Sequence, residues 1–99
     1  MAAIAVSDLN ADVAFVAANA GGDTVLSGTA AGDWVQSGVF VLVDNGGGAP
    51  ITVTIDGIAF TVPDGEMHAL PANSGVYPNT ARTVTYSAVT TVTVAAIRT

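Results

Sequence analysis

The stretch that decides the fold is VFVLVDNGGGAPITVTIDGIAFTV, residues 39–62. It contains three apolar runs with a two-residue period, which is the pattern of β-strands that bury one face. Two turn signals of different length separate the runs: the glycine-rich loop DNGGGAP and the dipeptide Asp56-Gly57. The stretch therefore predicts strands that contribute one wall of a hydrophobic core.

The dipeptide Asp56-Gly57 predicts a two-residue hairpin with a type I′ turn. Such a turn places Ile55 opposite Ile58, and a one-residue slip would expose the whole apolar set to water. We expect the upstream run to join the same sheet as the third strand of a meander. The pairs expected on one face are Ile55 with Ile58, Val53 with Phe60 and Ile51 with Val62, with Val43, Val41 and Val39 opposite Ile51, Val53 and Ile55.

The opposite face of these strands combines polar and apolar residues. Thr52, Thr54, Ala59 and Thr61 suit a solvated sheet face. Phe40 and Leu42 do not, so we expect something to cover them: the N-terminal segment, which we favour, or another protein.

Three residues are candidates for contact with a partner. Phe40 and Leu42 are two of them, and Tyr77 is the third because aromatic side chains of this kind anchor interfaces. Trp34 could serve in the same way, but we interpret this single tryptophan as a core residue.

The rest of the chain also favours strands. Residues 8–18 suit either a helix capped by Asp8 or Asn10, or an arm followed by a strand at 13–17. Pro63, Pro71 and Pro78 limit strands between them to edge positions, such as residues 66–70. Near the C-terminus, a hairpin that turns at residues 88–90 would place Tyr86 opposite Val92 and Val84 opposite Val94.

These patterns predict an all-β fold: a small β-sandwich or partly open β-barrel of about seven to eight short antiparallel strands. We expect an irregular Ala/Gly-rich N-terminal arm at residues 1–12 and a single all-β domain at 13–99. Ninety-nine residues suit one domain of this size.

The composition excludes several classes of partner. Charged residues make up 10% of the chain, the net charge is −6 and there is no lysine. Two arginines cannot neutralise a phosphate backbone or bind an anionic membrane surface, so we expect no nucleic acid and no membrane partner. The chain has no cysteine, the first residues lack the basic region of a signal peptide, and no apolar run is long enough to span a membrane. A surface so poor in ions is cheap to desolvate, which favours contact with other proteins.

The sequence offers no catalytic, metal or cofactor site, and we expect a protein that is not an enzyme. His68 is the single histidine, and no nucleophile motif accompanies it. The acidic residues are scattered, and those beside glycine suit turns better than calcium. NGGGAP does not match a phosphate loop. It predicts either a mobile hairpin tip or a loop that adapts to a partner.

Several stretches together resemble the small capsid decoration, or cement, proteins of tailed bacteriophages. They are LVDNGGGAPITVTI, FTVPDGEMHALPANSGVYPN and VTYSAVTTVTVAAIR, with AGGDT upstream, and the resemblance covers residues 21–98. It implies an all-β structural protein of the virion, made in the bacterial cytoplasm and bound to the outer surface of the capsid. There it would bridge major capsid subunits, as a trimer or dimer, and stabilise the shell. Family members usually carry lysine, which this chain lacks.

Two other functions compete with this one. A β-sandwich adhesion or carbohydrate-binding module of a phage tail or cell surface is the first alternative, although such modules usually display exposed aromatic residues for sugar stacking. An enzyme is the second. If the N-terminal arm adds a strand to a capsid sheet, deletion of residues 1–12 should weaken capsid binding and leave the fold intact.

Overall fold

The computed structural model describes residues 2–8, 13–27, 39–72 and 80–98, and these residues form β-strands without any helix. The prediction of an all-β fold is therefore confirmed. The ten strands are β1 (Ala2–Ala3), β2 (Val6–Asp8), β3 (Val16–Ala17), β4 (Asp23–Ser27), β5 (Val39–Asn45), β6 (Ile51–Ile55), β7 (Ile58–Val62), β8 (Met67–Pro71), β9 (Thr80–Tyr86) and β10 (Val92–Arg98).

The strands form two sheets. Sheet I has the order β1-β4-β9-β6-β7, and sheet II has the order β2-β10-β5-β8, with β3 also paired with β10. From β3 onward, every connection except the β6–β7 hairpin takes the chain from one sheet to the other. Neighbours in the sequence are therefore rarely neighbours in a sheet.

The two sheets share one hydrophobic core. Val25, Val53 and Val84 contribute to it from sheet I, and Val41 and Val94 contribute from sheet II. None of these five side chains is more than 1% exposed. β-Branched valines suit this position because they are stiff and pack well on a pleated surface.

The β6–β7 hairpin matches the sequence prediction in turn and register. Asp56 and Gly57 have φ values of 47° and 85°, the pair of positive angles that a type I′ turn requires. Ile55 lies opposite Ile58, Val53 opposite Phe60, and Ile51 opposite Val62.

The predicted three-stranded meander is wrong, because β5 belongs to sheet II and pairs with β8 and β10. Val39, Val41 and Val43 are fully buried as expected, but they reach the core from the opposite sheet. Alternation determines which side of a strand is buried, and it does not distinguish a neighbouring strand from one across the core.

The predicted C-terminal hairpin is also wrong. β9 pairs with β4 and β6, whereas β10 pairs with β5, so Tyr86 and Val92 lie in different sheets. After β9, the Ser87 amide donates to the Thr52 carbonyl oxygen at 2.9 Å, and the chain then crosses to sheet II.

The N-terminal segment is more regular than expected over the residues that the structure describes. β1 pairs in parallel with β4 in sheet I, and β2 pairs in parallel with β10 in sheet II. Ile4, between them, is only 6% exposed and belongs to the core cluster. Of the strand alternative at 13–17, β3 covers only residues 16–17. Residues 9–12 lie outside the described residues, and the division at residue 12 stays a prediction.

The proline-limited edge strand at residues 66–70 corresponds to β8, which forms an outer strand of sheet II and ends at Pro71. Trp34, interpreted above as a core residue, lies outside the described residues.

Candidate partner-binding surface

Phe40 and Leu42, two of the predicted partner-binding residues, lie on the side of β5 that faces away from the core. Phe40 lies between Pro71 of β8 and Ile97 of β10. Leu42 and Asp44 each lie between one residue of β8 and one of β10 in the same way. The three strands thus present one surface, which we call the apolar face. It consists of Phe40, Leu42, Asp44, Met67, Ala69, Pro71, Thr93, Ala95 and Ile97.

The apolar face is unevenly covered. Phe40, Leu42 and Ile97 are half-buried, and Ala95 is 1% exposed. Met67 is 57% exposed at one corner. Asp44 is the only charged residue of the face, so little ion hydration is lost when another surface covers it.

The two N-terminal strands of sheet II do not lie across this face. β2 and β3 pair with the edge of β10 and extend the sheet sideways. These two strands therefore do not cover Phe40 and Leu42. Cover by the N-terminal segment, the interpretation that we favour from the sequence, stays a prediction, because residues 9–12 and 28–38 lie outside the described residues.

The outward face of sheet I is different in chemistry. Thr52, Ala59 and Thr61 are exposed there and Thr54 is half-buried, as the solvated-face prediction expects. Cross-strand threonine pairs dominate this face, and such pairs stabilise a sheet through side-chain contact and hydrogen bonding. The pairs are Thr24 with Thr83, Thr54 with Thr85 and Thr52 with Thr61.

The glycine-rich loop that follows β5 is held in place by Asn45. This side chain is completely buried, and its Nδ2 donates to the carbonyl oxygens of Ala49 at 2.8 Å and Val62 at 3.0 Å. Its Oδ1 accepts a hydrogen bond from the Gly47 amide at 3.1 Å. One buried amide therefore joins the loop to β7.

Neighbouring turns hold the same loop from two more sides. The Gly46 amide donates to the Thr91 carbonyl oxygen at 3.0 Å, and the Gly48 amide donates to Oδ1 of Asp64 at 2.9 Å. A Cβ atom on Gly47 would lie 2.6 Å from the Thr90 carbonyl oxygen, so the turn before β10 packs directly on this backbone. A mobile hairpin tip, one of the two sequence interpretations, does not describe this loop, whose glycines permit close packing of two turns.

The acidic residues beside glycines act in turns, as the sequence suggested. Asp56 accepts a hydrogen bond from the Thr83 amide at 2.9 Å through Oδ1, and its Oδ2 lies 2.9 Å from Nη1 of Arg82. The β6–β7 turn is thereby attached to β9.

A second polar pair lies at the edge of the core. The Tyr86 hydroxyl donates to Oδ2 of Asp23 at 2.6 Å, and Asp23 is only 3% exposed. Burial raises the pKa of Tyr86 above its ordinary value, and the hydrogen bond and the negative charge of Asp23 raise it further. The phenol stays protonated and fixes the start of β4 to the end of β9.

His68 is half-buried, and its Nε2 lies 2.8 Å from Oε1 of the exposed Glu66. Within the described ranges, no group of three or more His, Asp or Glu side chains is placed to share a metal ion. The part of the chain that the structure covers also contains no helix that could span a membrane.

Sequence reasoning missed the part of the apolar face that β8 and β10 supply, because it paired β10 with β9. A signal was present, since VTVAAIR is apolar on both sides of the strand and therefore indicates a central strand with two covered faces. Tyr77, the third predicted partner-binding residue, lies outside the described residues. No family model, curated protein or solved structure matches this chain.

Proposed function

We propose that this chain is a structural virion protein that binds the outer surface of a tailed-phage capsid and stabilises it by bridging major capsid subunits. In this proposal it acts as a homo-oligomer, a trimer or dimer, and it has no enzymatic activity and no nucleic-acid or membrane partner. The observation that carries the proposal is the contrast between an apolar face on sheet II and a threonine face on sheet I.

The strand order supports a specific architecture. Eight strands fall into the orders β3-β10-β5-β8 and β4-β9-β6-β7, with antiparallel pairing throughout. This order supports a jelly-roll β-sandwich, an architecture that viral capsid proteins use, as do lectins and cupins. A fold of this kind supports many functions, so the surfaces of the molecule, and not its fold, indicate what it binds.

The apolar face is suited to a protein partner. It combines half-buried Phe40, Leu42 and Ile97 with small neighbours, and it carries one charge, on Asp44. Fully covered interface centres are depleted in charged residues and contain aromatic anchors. We assign Phe40 and Leu42 to the contact with the capsid.

The tightly bonded loops support a mechanical role. Asn45, the glycine loop and the turns at Asp64 and Thr91 hold one another by hydrogen bonds. A body of this kind binds without large rearrangement, which limits the ordering entropy lost on association.

The alternative function is that of an adhesion or carbohydrate-binding module. The threonine face favours it, because paired hydroxyls offer donors and acceptors to a polar ligand, and jelly rolls also serve as lectins. Binding to a glycan array through the threonine face, without binding to phage heads, would favour this alternative.

Cosedimentation with phage heads tests the proposal. The heads are assembled from the major capsid protein encoded in the same genome, without the chain bound. Ala69→Asp places a charge beside Leu42, at an exposed position of the apolar face. It should weaken binding at least about tenfold because the charge would be buried without a partner.

Thr85→Asp is the matched control, since Thr85 is exposed on the outward face of sheet I. It should bind as the unaltered chain does. Equal loss in both variants, or no cosedimentation of the unaltered chain, would contradict the proposal. Decorated heads should also release their DNA at a higher temperature than bare heads.

A further inference from the structure

The outer strand of sheet I, β7, has the features of a strand that pairs with another chain. Its sequence is IAFTV, without charge or proline, and β6 is its only partner among the described strands. Ile58, at its start, is 59% exposed although it lies on the core side. We propose that β7 pairs with β7 of a second copy of this chain across a twofold axis.

The other five-residue outer strand, β8, is less suited than β7 to pair with another chain. The even-numbered residues just before and just after β8 bond to β5. The Glu66 carbonyl oxygen accepts a hydrogen bond from the Asn45 amide, and the Ala72 amide donates to the Val39 carbonyl oxygen. The alternation of hydrogen bonds therefore directs the backbone groups of Met67, Ala69 and Pro71 away from β5, toward the open edge of sheet II. Proline has no N–H, so β8 lacks one of its outward donors.

The outward groups of β7 follow from its hairpin. The amides of Thr52 and Asp56 in and after β6 donate toward β9, to Ser87 and Thr83, at 2.9 Å each. Odd-numbered residues of β6 therefore bond to β7, which makes Ile55 and Ile58 a hydrogen-bonded pair. It follows that the backbone groups of Ile58, Phe60 and Val62 bond to β6. The N–H and C=O groups of Ala59 and Thr61 point away from β6, toward the open edge of the sheet.

This edge is complementary to itself. In an antiparallel twofold pair centred on Phe60, Ala59 lies opposite Thr61 of the second copy, and these two residues can exchange both hydrogen bonds. The same pairing occurs on the other side of the axis. Phe60 then lies opposite its own copy, in the closer non-hydrogen-bonded type of pair, where aromatic side chains stabilise each other.

The second copy would also cover apolar surface that one chain leaves exposed. Ile58 would lie beside Val62 of the other copy, and the two half-buried Phe60 rings would meet on the core side. A symmetric contact in which one patch serves both partners is the usual form of a dimer interface. The strand itself carries no charge, so pairing two copies of β7 brings no like charges together within the paired strands, although each chain has a net charge of −6.

The net charge of the chain predicts a salt dependence. Each copy carries a net charge of −6, so two paired copies repel each other. Salt screens charges at the surface, and we therefore expect added salt to strengthen the dimer. This inference rests on the strand edge alone, so it can fail while the proposed binding to the capsid holds, and the reverse.

Cysteine crosslinking tests the register directly, because the chain has no cysteine of its own. Phe60→Cys places two thiols at the axis, where the Cα atoms of such a pair are about 4.5 Å apart, within the range for a disulfide. Ile58→Cys is the matched control in the same strand, with its two thiols about 14 Å apart at about 3.4 Å per residue. Mild oxidation should crosslink the first variant and leave the second as monomers.

Thr61→Pro tests the same edge without a thiol. It removes an outward N–H and leaves the inward ladder to β6 intact, so it should raise the dimer dissociation constant at least about tenfold. Thr61→Ser keeps the N–H and should dimerise as the unaltered chain does. Sedimentation velocity measures both, and circular dichroism checks that Thr61→Pro is folded. If it is not folded, the crosslinking pair decides.

Two results would overturn the inference. One is an unaltered chain that stays at its monomer mass of 9.8 kDa up to millimolar concentration in high salt. The other is equal crosslinking of Phe60→Cys and Ile58→Cys, which would show contact without this register.

Discussion

Asn45 provides the sharpest test of how the glycine loop is held. Asn45→Ala removes three hydrogen bonds, those to Ala49, Val62 and Gly47. At a net value of about 1 kcal/mol each, the free energy of unfolding should fall by about 3 kcal/mol. For a domain of this length each kcal/mol shifts Tm by about 4–8 °C, so Tm should fall by about 12–24 °C.

Urea unfolding followed by far-ultraviolet circular dichroism measures this change, and two variants serve as comparisons. Asn45→Asp preserves size and an acceptor for Gly47, but it turns an oxygen toward two carbonyl oxygens, so its loss should be at least as large. Asp44→Ala alters the exposed neighbour on the same strand and should change stability by no more than about 0.5 kcal/mol.

A loss below about 1 kcal/mol for Asn45→Ala would refute the reasoning, because it would mean that the three hydrogen bonds contribute almost nothing net. Equal effects of Asn45→Ala and Asp44→Ala would refute it as well. Full tolerance of Asn45→Asp would show that the two donated hydrogen bonds do not matter.

Three further predictions concern stability. Ile4→Ala should lower the free energy of unfolding by about 3 kcal/mol because Ile4 belongs to the core. An unchanged urea midpoint would instead support an N-terminal arm that is independent of the core. Gly47→Ala should lower it by about 1–3 kcal/mol, because the new Cβ meets the Thr90 carbonyl oxygen at 2.6 Å; an unchanged urea midpoint would argue against the close packing of the two turns. Stability should fall above a pH of about 10, where an unfolded tyrosine ionises while Tyr86, with its raised pKa, stays protonated. Tyr86→Phe should reduce that fall in thermal melts, and an identical pH profile for both proteins would count against it.

The Ile4 prediction changes how the N-terminal segment can be tested. From the sequence, deletion of residues 1–12 was expected to weaken capsid binding and spare the fold. Because the deletion removes Ile4 from the core together with β1 and β2, loss of binding in that variant would also follow from loss of stability. Single substitutions on the apolar face separate the two effects.

Local chemistry made the β6–β7 hairpin predictable. Asp56-Gly57 determines the turn, and the turn determines every pair from Ile55–Ile58 to Ile51–Val62. The same reasoning failed for β5 and β10, because their connections cross between the sheets. Alternation in a strand is satisfied equally by a partner beside it and by one across the core, so the sequence pattern alone could not assign either strand to its sheet.

The candidate surface was predictable in part for the same reason. Phe40 and Leu42 stood out because they are apolar on a side where threonines were expected. Ala69, Ala95 and Ile97 did not, since they join the surface only through the pairing of β8 and β10 with β5. Asn45 lies within the turn signal DNGGGAP, and its role depends on Val62, which lies 17 residues away in the sequence.

The most direct test of the proposed function is a cryo-electron microscopy map of phage heads decorated with this chain. We predict density for the β body on the outer surface of the shell, bridging major capsid subunits, with Phe40 and Leu42 on the side that meets the capsid. Heads without added density, or density attached through the threonine face of sheet I, would contradict this account.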